Sequence, residues 1–248
     1  GLHMNNMRQI LAERQAGRVG RGPARLRIAP AHVLGWHLAA VALLLAGHLG
    51  AALLQIGFGR GETLWRLLFL GGEGNLPSFL SAAALLAAGL IAFLLARIDD
   101  PANATPWRLA GLILLFLCLD EAAGLHEQLK WLAPRVKGEL SLFWLLPYGA
   151  LVLAVVAILL PFWLRLPAGA RIGLAGSALM FVGGAMGMEL VESRLYEDRA
   201  DAYLRWPMVV SVAVEEVLEM AAVALLIFTM LRHAAGRRQP VLVMDVSA

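Results

Sequence analysis

Cysteine is almost absent from this chain: Cys118 stands alone, so no intrachain disulfide can form and no thiolate cluster can bind a metal. Charge is scarce too, with 16% of residues Asp, Glu, Lys or Arg against 60% hydrophobic, and the mean hydropathy is +0.71. Soluble domains carry about 25% charged residues, so this composition excludes one. Strand-like alternation is missing outside the short tail PVLVMDVSA at 240–248. The excess of base over acid, +3 with a pI near 9.5, does not imply nucleic acid as a partner. The arginines flank apolar segments and do not interleave with aromatics on one face.

What the sequence does have is apolar runs of membrane length. About 20 helical residues cross a hydrocarbon core of about 30 Å, and six runs meet that requirement: 30–56, 76–98, 106–129, 140–164, 168–193 and 208–232. Proline or glycine stands at most of their boundaries, as in Asn75-Leu76-Pro77, Asp100-Pro101, Thr105-Pro106 and Trp206-Pro207, where helices tend to start or stop. The expected fold is all-α: a polytopic membrane protein of six transmembrane helices (30–232), a basic N-terminal arm (1–29) drawn to anionic lipid, and a C-terminal tail (233–248). With both termini cytoplasmic, thirteen of the 21 basic residues fall on the inner side: Arg8, Arg14, Arg18, Arg21, Arg25, Arg27, Arg97, Arg108, Arg165, Arg171, Arg232, Arg237 and Arg238. That bias orients the bundle. The first run is too long, and lacks a small-residue cleavage pattern, to be a cleaved signal peptide.

Three of these runs carry acids where none is expected: LCLDEAAGLHEQL (Asp120, Glu121, His126, Glu127), GAMGMELVES (Glu189, Glu192) and VAVEEVLEMAAVALL (Glu215, Glu216, Glu219). A charge at a helix centre in the bilayer costs about 2.5–3.5 kcal/mol on insertion scales, so such a residue is kept where it has a partner and a use. In the predicted topology the third and fifth runs travel outward and bear their acids late. The sixth travels inward and bears them early. All three groups therefore converge in the outer half of the membrane.

Helical faces permit part of this convergence. Glu215, Glu216 and Glu219 share an arc of about 100°, and Glu189 and Glu192 share a side at i, i+3. Asp120 and Glu127 share a face, with Glu121 and His126 on opposite flanks, so an ideal helix cannot aim all four at one point unless Gly124 distorts it. The first run adds a stripe of His37, His48 and Gln55. Tyr148, just after Pro147, lies at about the depth of the sixth-run acids. Gly173, Gly176, Gly183, Gly184 and Gly187 on the fifth run would let helices approach closely.

This donor set points to a divalent transition metal, Fe, Mn or Zn, as one ion or two. Candidate ligands are Asp120, Glu121, His126, Glu189, Glu192, Glu216, Glu219 and, in a supporting role, His48. Glu127 and Glu215 would shuttle protons, and Tyr148 is a candidate for acid chemistry, with packing as its plainer role. In ligand type and helix placement the pattern resembles di-metal carboxylate four-helix proteins, although it has no E-x-x-H, since Ala123 stands three residues before His126. A bundle of protonated carboxyls linking helices, or acids satisfied by Arg194, Arg199 and Arg205, would explain one or two of these acids but not eight.

The segments LDEAAGLHE, GMELVE and VEEVLEM also resemble an uncharacterised bacterial family of six-helix membrane proteins, over the third to sixth runs. That resemblance implies the bacterial inner membrane and no established activity. The expected function is a membrane-embedded metalloenzyme, an oxidoreductase or a hydrolase, acting on a lipid-like or apolar small molecule within the bilayer. The alternative is a proton- or cation-coupled transporter built on the same acids, and a weaker one is a metal sensor or a subunit of a larger complex.

Overall fold

The computed structural model describes residues 29–125, 145–196 and 202–237. Among these residues every regular element is helical. Helix α1 (Pro30–Ala52) continues into a π-helical turn, Leu53–Gly57. A short α2 (Glu62–Leu68) comes next, then α3 (Leu76–Ile98), a 3-10 turn (Pro101–Asn103) and α4 (Ala104–Ala123). After α5 (Leu145–Arg165), α6 (Ala168–Val182) passes through a second π-helical segment, Gly183–Met188, into α7 (Glu189–Tyr196). A 3-10 turn (Ala202–Leu204) leads to α8 (Trp206–Ala235).

Five of these helical stretches are long and apolar enough to cross a membrane: Pro30–Gly57, Leu76–Ile98, Pro101–Ala123, Leu146–Arg165 and Ala168–Leu195. The architecture is compatible with a multi-pass membrane protein. At 30 residues, α8 is the longest described helix and the hub of the bundle, packing on α1, α3, α6, the second π segment and α7. Apolar side chains such as Trp36, Leu43, Phe79, Leu153, Ile172 and Leu179 stay more than 70% exposed, an outer surface suited to lipid. The interior holds two clusters. One, built on Ala88, Ala92, Leu95, Trp107, Phe162, Ile227 and Met230, fills the end where α8 finishes and α1 begins. The other, with Val41, Leu70, Met208, Val212 and Met220, fills the opposite end.

Local signals explain the boundaries. Asn75 caps α3 reciprocally with Ser78: the Ser78 N–H donates to Asn75 Oδ1 at 3.2 Å, and the Asn75 N–H donates to Ser78 Oγ at 3.0 Å. The expected helix over 106–129 ends earlier. Gly124 takes a left-handed conformation (φ +58°) and its N–H closes on Asp120 O at 2.7 Å, which terminates α4 at Ala123. His126 and Glu127 lie outside the described residues, as do 140–144 of the expected fourth run. Helix α2 has no counterpart among the expected elements.

Candidate functional site: a carboxyl-lined cavity

A cavity of about 150 Å³ lies between α3, α4, α5, α6 with its π segment, α7 and α8. Six acids line it: Asp120 and Glu121 from the last turn of α4, Glu189 from the start of α7, and Glu215, Glu216 and Glu219 from α8. Tyr148 of α5 completes the polar side, and its hydroxyl hydrogen-bonds Asp120. The facing wall is apolar, formed by Leu85, Leu117, Val152, Phe181, Val182, Ala185 and Met186. Among the described residues, none that lines the cavity is basic. Glu192, one turn beyond Glu189, is buried and its carboxyl lies beside that of Glu215.

The π segment sets this geometry. An α-helix turns by about 100° per residue, and a π turn holds one residue more, so it rotates everything after it by about that angle. Glu189 and Glu192 come directly after this widened turn. The segment lies hard against α8: a Cβ on Gly184 would sit 3.0 Å from Glu219 Cγ and 3.1 Å from the Glu215 carbonyl oxygen. Of the other glycines expected to let helices close, Gly173 meets Thr229 and Gly176 meets Leu225, whereas Gly183 and Gly187 meet nothing within 4 Å.

The structure thus gathers Asp120, Glu121, Tyr148, Glu189, Glu192, Glu215, Glu216 and Glu219 at one place. Among the described residues, no group of three or more His, Cys, Asp or Glu is arranged to hold a metal ion.

His48 departs from its expected role. It is wholly buried, but it is not among the cavity-lining residues, and both ring nitrogens are occupied by backbone groups. Nδ1 accepts from the Leu70 N–H at 3.3 Å, and Nε2 donates to Val209 O at 3.2 Å. A ring nitrogen can ligate a metal only with a free lone pair, and here neither offers one. The ring instead stacks on Trp65, with centroids 5.5 Å apart. From the same stripe, His37 Nε2 and Gln55 Oε1 are buried without hydrogen-bond partners.

A second polar cluster, which sequence reasoning misses, sits where α3, α4, α5 and α8 meet at the end near both described termini. The Asp99 side chain is fully buried. Its Oδ2 accepts from Trp107 Nε1 (2.7 Å) and Asn103 Nδ2 (3.2 Å) and lies 3.0 Å from His233 Nε2, which is also 2.9 Å from the Arg237 guanidinium. Its Oδ1 accepts from the Arg237 guanidinium (2.6 Å) and the Asp100 N–H (2.7 Å). Arg165 of α5 reaches Asn103 Oδ1 at 3.5 Å. Burial pushes the Asp99 carboxyl upward, but bonds from His233, Trp107 and the Asp100 N–H outweigh it and hold the group below the ordinary carboxylate value. The one signal in the sequence is spacing: Asp99, Asn103 and Trp107 recur every four residues across an apparent loop.

No curated protein and no solved structure matches the chain. One family model matches residues 36–234, most of its length. The chain belongs to the family of that model, described as a Domain of unknown function (DUF8692).

Proposed function

We propose that this chain is a multi-pass membrane protein of six spans, with both termini cytoplasmic, that takes up protons in the carboxyl cavity and couples them to movement of a small solute. One observation carries the reading: six carboxyls from α4, α7 and α8 line one cavity, and none of its described lining residues is basic. Carboxylates crowded together repel one another when ionised, so such a group holds protons or a cation between its members. Acids retained inside a membrane commonly mark proton relays and ion pathways, and helices interrupted at membrane depth are frequent in carriers. The two π-helical interruptions and the apolar wall facing the acids support the same reading. The resemblance through LDEAAGLHE, GMELVE and VEEVLEM favours the bacterial inner membrane, with the cavity in its outer half.

The second reading is the metalloenzyme, with Fe, Mn or Zn on the same carboxylates and a lipid-like substrate against Leu117, Phe181 and Met186. The hard oxygen donors and the apolar wall favour it.

Reconstitution separates the two. Purified protein in vesicles containing a pH-sensitive dye is expected to carry protons down an imposed gradient. Infrared difference spectra are expected to contain a protonated-carboxyl C=O band that disappears in Glu215→Gln and in Glu192→Gln. A protein with stoichiometric tightly bound transition metal, no such band and no flux would overturn the carrier reading and establish the other.

A further inference from the structure

We propose that the Asp99 cluster is a gate that closes the termini end of the bundle beneath the carboxyl cavity. The inference rests on the carrier reading, because a gate matters only if something must pass. Along α8, Glu219 and His233 are 14 residues apart, about 21 Å at 1.5 Å per residue. Between them α8 presents Ala222, Val223, Ile227 and Met230, all at most 5% exposed. Facing these are Ala88, Ala92 and Leu95 of α3, each 0% exposed. The cavity is thus cut off from the termini end by an apolar plug.

At the far end of that plug one buried carboxylate ties the helices together. Asp99 terminates α3, receives the indole N–H of α4, and receives the imidazole and guanidinium that end α8. Arg165 brings in the end of α5 through Asn103. Each bond joins helix ends that would have to separate for water to reach the plug from this side. The clasp also borders solvent, since the Arg237 side chain is 31% exposed while Asp99 is 0% exposed. A buried carboxylate with five polar partners is strong while complete and costly to leave half made, so it favours two states, closed or released, over a gradual loosening.

The chain supplies its own reporter. Cys118, the only cysteine, is partly buried against the plug, two residues before Asp120 and about 16 Å along α4 from Trp107. A small membrane-impermeant thiol reagent would be added to vesicles from the side on which a C-terminal tag can be digested. Wild-type Cys118 is expected to label slowly. Asp99→Asn and Arg237→Gln are expected to raise the rate by about tenfold or more, because labelling follows the population of the open state. Arg97→Gln, at an exposed arginine outside the clasp, should leave it unchanged. If Asp99→Asn does not yield monodisperse protein, Arg237→Gln decides, since its side chain is partly in solvent.

A folded clasp variant that labels at the wild-type rate would overturn the gate, as would an equal rise in Arg97→Gln. Labelling needs no transport, so accelerated labelling without proton flux would sink the carrier reading alone.

Discussion

Asp99 gathers five polar partners around one side chain with no exposed surface, and removing its charge leaves them facing an amide. Breaking a buried pair by neutralising one partner costs about 3–5 kcal/mol. Asp99→Asn should lower thermal stability by that order, measured by unfolding in detergent, and Arg237→Gln by less. Because the folded carboxyl titrates below its ordinary value, its stabilisation is complete above the unfolded value of about 3.9 and is lost as pH falls through the lower folded value. Melting temperature at the acid end should therefore fall below about pH 4 in the wild type and respond less to pH in Asp99→Asn. At Gly184 the limit is space: Gly184→Ala puts a methyl 3.0 Å from Glu219 Cγ and 3.1 Å from a backbone oxygen. Overpacking of this kind costs about 1–3 kcal/mol, and the displaced Glu219 should reduce proton uptake in the vesicle assay.

Between elements, the π segment is the decisive piece, because its extra residue sets the direction of Glu189 and Glu192. Deleting Gly187, where an added Cβ would meet no neighbouring group within 4 Å, should restore α-helical winding and rotate both acids by about 100°. The span would persist while Glu192 turns away from Glu215, so the infrared band should vanish with helix content by circular dichroism unchanged. If the band survives, the π turn does not position these acids. Nothing in GGAMGM announces this winding: small residues in an apolar run read as ordinary close packing. Gly124 is visible in the sequence as a place where a helix can distort, but whether a glycine turns left-handed depends on how the chain beyond it packs, and periodicity carries no such information. Membrane-length helices were legible because hydropathy and length are local, additive properties. The Asp99 cluster was not, because an acid at the end of an apolar run reads as a solvated cap until a helix more than 130 positions away arrives beside it.

At the scale of the whole molecule, the bundle is organised around α8, which carries three cavity acids at one level and His233 of the clasp at another. The helices around it leave extensive apolar surface outward, so the protein should stay with the membrane pellet through an alkaline carbonate wash and come free only with detergent. Release by carbonate alone would contradict the spanning arrangement. The meeting of acids from three separate runs has a signal in the sequence, since each run places its acids toward one of its ends. Which carboxyl meets which has none, since that depends on helix rotation and on α5, which brings Tyr148 to Asp120. His48 adds a different consequence, one of timing. Its imidazole joins the backbone at Leu70 to the backbone at Val209, closing a span of 161 positions in a chain with no disulfide. Helix α1 is synthesised long before the carbonyl of Val209, so this bond forms only after α8 has been made. A chain truncated before Val209 would lack the bond that fastens α1 to α8.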